Sequence, residues 1–321
     1  MKLSSSILTF FLFLSTIHTF RADAQDNSLD WIDKNAHPIS TDTTQNELSF
    51  LSEKLKGKTI VGLGEASHGT QEFFFQKRKI IQYLVTRENF RTIGFESPAN
   101  FIEPLNKYIQ SGEGNPKITL SSIGLYNADE ILKLCEWLRQ FNASRPAGKR
   151  VKMIGFDDEA FWGDPLGRDE SMAEKFIALQ KTDQHKSILW SHNLHLAKDT
   201  TMAQYKAMGF HLKAHYGRQY YALGMDTYAG SVHVLNGGQF ESHDFKGPEN
   251  SLSAVFSKAK PDAFFVDFID APAALKSAKD ITNIYSNWKE PRVLPIVPGS
   301  DFDALIFIRE TTASKPCAGS R

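Results

Sequence analysis

The segment IVGLGEASHGTQEFFFQKRKIIQYLVTR, residues 60–87, joins a short apolar run to an amphipathic pattern through a glycine-bounded turn. The apolar run, Ile60 to Glu65, has the length of a buried strand and ends on a carboxylic acid. From Gln71 to Arg87, apolar side chains recur at helical spacing, which predicts a helix. Gly64 and Gly69 allow the chain to turn sharply between the two elements. The segment therefore predicts a strand, a turn and a helix, the unit from which α/β folds are built.

The same strand pattern recurs along the chain. Further short apolar runs lie at Thr92 to Glu96, Lys152 to Asp157, Ile188 to Asn193, Tyr220 to Asp226, Ala263 to Phe268 and Asp303 to Glu310. Helical patterns occur between the early runs, from Ala128 to Phe141 and near Met172 to Leu179. This alternation predicts an α/β fold with a central, largely parallel (mixed) sheet and flanking helices. Short connections such as Ala229-Gly230 would allow antiparallel pairs among the late strands.

The composition indicates a globular chain without a preference for polyanions. The 321 residues are 41% hydrophobic, which is enough for one sizeable core. Lys and Arg number 37 together, as do Asp and Glu, so nothing attracts the chain as a whole to nucleic acid or to an anionic membrane. We expect neither as a partner. Because no repeat or low-complexity linker divides the sequence, we expect one α/β domain at residues 48–315, after an extension at 25–47 and before a tail at 316–321.

Residues 1–24 have the features of a secretory signal peptide. Lys2 precedes an apolar run from Ile7 to about Ile17, and Ala22-Asp23-Ala24 matches an A-x-A cleavage site. The run is shorter than the ~20 residues that a membrane-spanning helix needs. We expect cleavage after Ala24 and an exported protein, secreted or periplasmic, without stable membrane insertion; an uncleaved N-terminal anchor is the alternative. Cys135 and Cys317 could pair in an oxidising compartment, although a structural or incidental role fits them better.

Four predicted strands finish on or beside groups that can do chemistry: Glu65, Glu96, Asp157 and His192. Ligands of open α/β sheets bind at the carboxyl ends of the strands. Apolar packing does not favour an ionisable group at the end of a buried strand. We therefore expect these groups to line one crevice. The alternative is that each merely caps the following helix, where negative charge is favourable.

The spacing of the histidines suits general-base chemistry. His68 follows Glu65 by three residues, and His192 and His195 are also three apart, in the segment WSHNLH. An imidazole can take a proton from water near neutral pH, and a neighbouring carboxylate fixes its tautomer. Lys77, or a neighbour in the same basic run, could reach into the crevice and polarise a carbonyl.

Metal binding is the main alternative for this set of groups, since imidazoles and carboxylates also bind zinc or iron. However, the chain has no HExxH motif, no Cys/His set of recognised spacing and no phosphate loop ending in Gly-Lys-Ser/Thr. A G-x-S-x-G nucleophile elbow is absent as well. We therefore expect no cofactor and no nucleophilic serine.

An ordered set of motifs resembles the erythromycin esterase family: GEASHGTQEFFFQKRKIIQYLV, TIGFES, IGFD, WSHNLH, YGRQYYALGMDTYAG and FDALIFIRETTAS. The resemblance extends from about Leu48 to Ala313. It implies hydrolysis of an ester or a lactone, macrolide lactones included, by a histidine that activates water directly without an acyl-enzyme. By this resemblance the general base is His68, and Glu65 is its carboxylate partner.

The resemblance also assigns expectations to the other groups. Glu96 matches a further acidic active-site position, and His192 and His195 match the family's histidine pair. Lys77 stands where well-studied members have arginine, which keeps the charge but loses the bidentate fork. Asp157 matches another acidic position. We expect Lys77 and Asp157 to contact the substrate.

One departure from the family concerns the size of the site. Macrolide-cleaving members have a long helical segment between the GFD and HN motifs, whereas this chain has only Asp158 to Ser191, enough for about two short helices. We expect a shallower site, shaped by loops at Gly112 to Ser122 and Gly237 to Gly247, and a smaller ester is as plausible a substrate as a macrolide. A distant group of bacterial haem-binding proteins shares the scaffold, so a metal- or haem-binding protein is the alternative function.

Overall fold

The computed structural model describes residues 28–40, 46–183 and 185–317. The predicted signal peptide, residues 1–24, lies outside the described residues. The strands are β1 (His37–Pro38), β2 (Ile60–Leu63), β3 (Phe90–Pro98), β4 (Lys152–Asp157), β5 (Lys186–Trp190), β6 (Tyr220–Asn236), β7 (Gln239–Lys246), β8 (Ala263–Asp267), β9 (Lys279–Asn283), β10 (Arg292–Ile296) and β11 (Ala304–Thr311).

The helices flank these strands in the alternation that the sequence predicts. They are α1 (28–35, its described part), α2 (Phe50–Lys54), α3 (Gln71–Arg87), α4 (Ala99–Ser111), α5 (Pro116–Ser122), α6 (Asp129–Ala143), α7 (Arg168–Asp183), α8 (Asn193–Leu196), α9 (Met208–Tyr216), α10 (Leu252–Phe256) and α11 (Ala273–Lys276).

The central sheet is mixed but largely parallel, which confirms the predicted fold class. Its nine strands include a path in the order β1-β8-β11-β6-β2-β5-β3-β4, with β7 paired to β6. The six strands from β11 to β4 are parallel, whereas β1, β7 and β8 pair antiparallel. The predicted turn at Ala229-Gly230 is wrong, because β6 continues through these residues and pairs them with β11. The chain turns instead at Gly237 and Gly238, whose φ angles of 57° and 92° suit glycine.

Apolar side chains from helices cover both faces of the sheet. On one face, Phe73 of α3 and Leu134 of α6 belong to a core that includes Val61 of β2. On the other face, Phe176 of α7 packs with the core that contains Leu189 of β5. Because successive residues of a strand point to opposite faces and helices cover both faces, the central strands β2 to β5 are rich in buried apolar residues.

Three segments differ from the sequence-based expectation. The predicted loop at Gly112 to Ser122 contains α5, because the Asn115 side chain accepts a hydrogen bond of 3.0 Å from the Lys117 amide and Pro116 begins the helix. The predicted loop at Gly237 to Gly247 is mostly β7. Between β4 and β5 there is one helix, α7, after a short 3-10 turn (Glu159–Phe161), instead of two short helices.

Part of the predicted N-terminal extension, 25–47, packs on the domain. Ile32 is fully buried, and the Ile39 amide donates to the Ala263 carbonyl at 3.0 Å. At the other end of the chain, Cys317 is buried, as is Cys135 in α6, and no disulfide joins the two.

The turn between β2 and α3 is held by several distant segments. The carbonyl of Gly69 accepts hydrogen bonds of 2.9 Å from the amides of His233 and of Ser314. The carbonyl of Ala66 accepts from the Ile284 amide at 2.9 Å, and the backbone carbonyl of Glu65 accepts from the backbone amide of Asn193 at 2.8 Å. Backbone contacts from different parts of the chain therefore fix this turn and the side chains it carries.

We expect Gly69→Ala to destabilise the protein. A Cβ at this position would lie 2.0 Å from the carbonyl oxygen of His233 in β6. Because two backbone segments would have to separate, the free energy of unfolding should fall by about 1–3 kcal/mol. Urea unfolding measures the effect. Gly148→Ala is the control, since an added Cβ there meets no atom within 4 Å; equal losses in the two variants would contradict this packing.

Candidate active site

The strand order brings the four predicted strand-end groups to one edge of the sheet. β2, β5, β3 and β4 are neighbours in that order. Glu65 follows β2, His192 follows β5, Glu96 lies near the end of β3, and Asp157 ends β4. A register shift interrupts the pairing of β3 with β4 around Glu96, and such irregularities redirect a side chain. The structure thus collects these groups in one buried cluster.

His68 is held by a buried carboxylate, which in turn is paired with a buried lysine. Its Nδ1 lies 2.7 Å from Oε1 of Glu65, and Oε2 of Glu65 forms an ion pair of 2.7 Å with Nζ of Lys77. The Lys77 ammonium also donates to the Ser191 carbonyl at 3.1 Å and lies 4.8 Å from the ring centroid of Trp190. Burial lowers the pKa of Lys77 to about 8, although Glu65 opposes the shift. Lys77 is completely buried, and its ammonium is engaged by Glu65 and by the Ser191 carbonyl.

Glu96 is the hub of the cluster. Its Oε2 accepts hydrogen bonds from the Ser191 hydroxyl at 2.7 Å and from the His192 amide at 3.0 Å. Its Oε1 lies 3.1 Å from Nη2 of Arg168 and 3.2 Å from Nε2 of His195. Burial alone would raise the pKa of Glu96, but the cations around it, with His195 foremost, hold that pKa well below its usual value. Glu96 therefore stays ionised, and its Oε2 lies 3.9 Å from Nε2 of His68.

His195 is held as a cation between two carboxylates. Its Nδ1 lies 2.8 Å from Oδ1 of Asp169, opposite the contact with Glu96. Burial opposes protonation, yet Glu96 and Asp169 together raise the pKa of His195 to about 10. Asp169 in turn accepts hydrogen bonds from the Tyr205 hydroxyl at 2.9 Å and from the Met208 amide at 2.8 Å. His195 is thus an imidazolium whose two ring nitrogens are both engaged.

His192, in contrast to His195, is uncharged. It caps α8, where its Nδ1 accepts a 3.3 Å hydrogen bond from the Leu194 amide, which leaves the ring proton on Nε2. Burial, followed by the nearby His68, lowers the pKa of His192 to about 3. Its ring lies 5.2 Å from the ring of His68, and a hydrogen bond with the Ala66 backbone partly offsets the lowered pKa. His192 is therefore a neutral ring beside His68, with its ring proton on Nε2.

Asp157 is fully engaged by protein groups. Its Oδ1 accepts from Nε of Arg168 at 3.2 Å, and its Oδ2 accepts from Nη2 of Arg168 at 2.7 Å and from the Trp162 indole at 2.9 Å. Asp157 is 2% exposed. Asp157, which is predicted to contact the substrate, is linked through Arg168 to Glu96.

Three members of the cluster were not predicted from the sequence: Tyr126, Arg168 and Asp169. Arg168 and Asp169 begin α7, where an acid in the first turn has the ordinary interpretation of a favourable helix-dipole contact. Tyr126 lies in a short 3-10 turn, donates to the Glu96 carbonyl at 3.3 Å and meets the His68 ring edge-on at 6.2 Å. No spacing in the sequence connects these residues with His68.

The cluster has few groups available to a metal ion. Protein partners already occupy both ring nitrogens of His195, both oxygens of Asp157 and both oxygens of Glu65. Within the described ranges, no group of three or more His, Cys, Asp or Glu side chains is placed to hold a metal ion.

Among the residues that the structure describes, no helix has both the length and the apolar character needed to cross a bilayer.

The charge on His195 should make stability depend on pH. The folded state keeps a proton up to about pH 10 that an ordinary histidine loses near 6.5. The contribution of His195 is thus complete below pH 6.5 and is lost as the pH rises through about 10. We expect the difference in free energy of unfolding between wild type and His195→Gln, measured in urea, to shrink across this range. A difference that stays constant with pH would contradict the assigned charge.

Sequence comparison identifies the family to which this site belongs. Residues 85–164 and 158–311 match the model of the family described as erythromycin esterase, which is more than half of the chain. The chain belongs to the erythromycin esterase family. This family member is 29% identical to YbfO of Bacillus subtilis (strain 168) over 141 residues, which cover 43% of the chain and 30% of YbfO. It is also 29% identical to erythromycin esterase type I of Escherichia coli over 116 residues, 35% of the chain and 27% of that enzyme.

Structural similarity covers more of the chain than these sequence matches do. Both curated relatives are matched over less than a third of their own length. A crystal structure of a Bacillus cereus protein aligns with 91% of this erythromycin esterase family member and 99% of that chain, at a TM-score of 0.78 and 23% identity. At that identity the likeness shows a common fold.

Proposed function

We propose that this protein hydrolyses a carboxylic ester or lactone, with His68 as the general base that activates water. The observation that carries the proposal is the orientation of His68. Its Nδ1 is committed to Glu65 at 2.7 Å, so the lone pair is on Nε2, at the end of the ring directed toward Glu96. That is the tautomer a general base requires.

The other groups of the cluster have distinct roles in the proposed reaction. His68 Nε2 takes a proton from water while the water oxygen bonds to the carbonyl carbon, and the same proton then passes to the leaving alkoxide. Glu96, 3.9 Å from His68 Nε2, is at a distance that one water can bridge, so it would orient that water. The Nε2–H of His192 would donate to the developing oxyanion.

The cations would act mainly by holding carboxylates. Lys77 orients Glu65, and Arg168 and the protonated His195 fix Glu96 in place. We propose this role for Lys77 in place of direct contact with the carbonyl, because its ammonium is completely buried. Asp157 would likewise act through Arg168, whose guanidinium it binds with both oxygens.

A panel of esters and lactones, macrolides included, tests the activity. We expect the purified protein to hydrolyse at least one small ester or lactone, and to do so equally after dialysis against a chelator. Metal analysis of the same preparation addresses the alternative of a metal- or haem-binding protein. Stoichiometric metal together with no turnover on any substrate would refute the hydrolase proposal.

We further propose that the protein acts outside the cytoplasm, on the strength of the signal-like pattern in residues 1–24. Expression in a bacterium with a secretory pathway should yield a mature chain that begins at Gln25. Mass spectrometry of the exported protein measures this end. Recovery of the full-length chain from the cytoplasmic fraction would contradict the proposal.

A further inference from the structure

Two large apolar side chains are exposed in the segment between β4 and α7. Trp162 is 51% exposed and Leu166 is 70% exposed. The Trp162 indole donates to Oδ2 of Asp157 at 2.9 Å, so its ring is anchored at one edge while about half of its surface remains in water. An aromatic ring held in this way offers a rigid face at little cost in conformational entropy.

Trp162 lies beside the most accessible end of the active-site cluster. The same oxygen of Asp157 that accepts from the indole also accepts from Nη2 of Arg168 at 2.7 Å, and Nη2 lies 3.1 Å from Glu96. The Arg168 side chain is 23% exposed, whereas that of Glu96 is 7% exposed. Nη1 of Arg168 makes no hydrogen bond to the described residues. An exposed indole and an uncommitted guanidinium donor therefore adjoin each other at the edge of the site.

The charge of the cluster restricts what can bind here. Among the described residues, four carboxylates (Glu65, Glu96, Asp157 and Asp169) face three cations (Lys77, Arg168 and the protonated His195). The local charge is thus negative, which disfavours an anionic ligand. A neutral group with an apolar face and oxygen acceptors at its edge fits both available contacts.

We infer that Trp162 and Arg168 form a subsite for a neutral, hydroxylated ring of the ester substrate, as in a sugar ester. The C–H face of the ring stacks on the indole, and a ring oxygen accepts from Nη1 of Arg168. Leu166, two residues before Arg168, is a further exposed apolar side chain of the same segment. The inference rests on the proposed function, because it specifies the substrate class of the same site.

Acetate esters with different alcohols test the subsite by hydrolysis. We expect wild type to prefer 6-O-acetylglucose to ethyl acetate, and Trp162→Ala to raise KM for the sugar ester about tenfold relative to ethyl acetate, as for the loss of one stacking contact. Trp162→Phe keeps a stacking face and should retain most of the preference. If Trp162 only supports Asp157, both variants would lower kcat for every ester alike, which would overturn the inference. A stronger preference for benzyl acetate than for the sugar ester would also overturn it.

Leu166→Ala is a second test of the subsite, and Ile269→Ala is its matched control. Both side chains are 70% exposed, but Ile269 follows β8, which is antiparallel to the central strands and ends at the opposite edge of the sheet. We expect Leu166→Ala to weaken the preference for the sugar ester and Ile269→Ala to leave it unchanged. A loss of preference in both variants would contradict a local subsite.

Binding to an inactive protein separates the subsite from the hydrolase proposal. In a His68→Ala background, calorimetry with 6-O-acetylglucose should give a Kd about tenfold lower than in His68→Ala/Trp162→Ala. Equal Kd values would overturn the subsite even if wild type hydrolyses esters. The expected difference in Kd would support the subsite even if no panel ester is hydrolysed.

Discussion

Replacing His68 by alanine is expected to lower kcat/KM for the hydrolysed ester by about 10²- to 10⁴-fold, the range for the loss of a general base. Because Nδ1 is held by Glu65 at 2.7 Å, Nε2 is the ring nitrogen that can accept the proton of water. Neither neighbouring histidine can substitute. His192 has a pKa of about 3 and carries its proton on Nε2, and His195 is protonated with both nitrogens engaged.

The variant should still fold, since Glu65 retains its ion pair with Lys77 after the imidazole is removed. Steady-state kinetics and urea unfolding, measured on the same preparation, separate the two effects. His215→Ala is the matched control, because His215 is an exposed histidine of α9. Added imidazole should restore part of the lost rate in His68→Ala and change nothing in the control. Full ester hydrolysis by His68→Ala without imidazole would refute the assignment.

Lys77→Met is expected to lower the free energy of unfolding by about 3–5 kcal/mol, as for other buried ion pairs that lose one partner. Glu65 is 0% exposed, and Lys77 is its cationic partner at 2.7 Å. Without the ammonium, the buried carboxylate would be uncompensated and would tend to take up a proton. A protonated Glu65 holds His68 less firmly in the productive tautomer, so kcat should fall as well.

The double variant Lys77→Met/Glu65→Gln distinguishes the charge effect from a loss of packing. Since it buries no unpaired charge, it should recover much of the stability that Lys77→Met loses, while hydrolysis remains impaired because the carboxylate is absent. Urea midpoints of the two variants give the comparison. If the double variant is no more stable than Lys77→Met, the destabilisation does not arise from an unpaired Glu65.

Local sequence patterns were sufficient to predict the strands and helices that carry the candidate site. The apolar run at Ile60 and the periodic pattern from Gln71 to Arg87 predict β2 and α3 because burial of one face imposes a period on the sequence. The pairing of His68 with Glu65 follows from their three-residue spacing in a tight turn. The predicted gathering of Glu65, Glu96, Asp157 and His192 at one edge follows from parallel strands. The predicted turn at Ala229-Gly230 failed because a small-residue pair is equally compatible with a long strand.

Partners from distant parts of the chain could not be predicted in this way. Asp169 and His195 are 26 residues apart, and Arg168 and Glu96 are 72 apart. Their contacts depend on where α7 packs against the sheet, which local periodicity does not encode. Lys77 looks like a solvated lysine of an amphipathic helix, and only the packing of α3 against β5 places its ammonium in the interior.

By itself, the sequence determined the strand-turn-helix units, the parallel sheet and the identity of the groups at its carboxyl edge. These properties depend on side-chain periodicity and on glycines at turns, both of which are local. The tertiary structure decided which histidine is a base, which is a cation and which is a neutral donor. Burial and charges from remote segments set the pKa of His192 to about 3 and that of His195 to about 10, and neither quantity exists until the chain has folded.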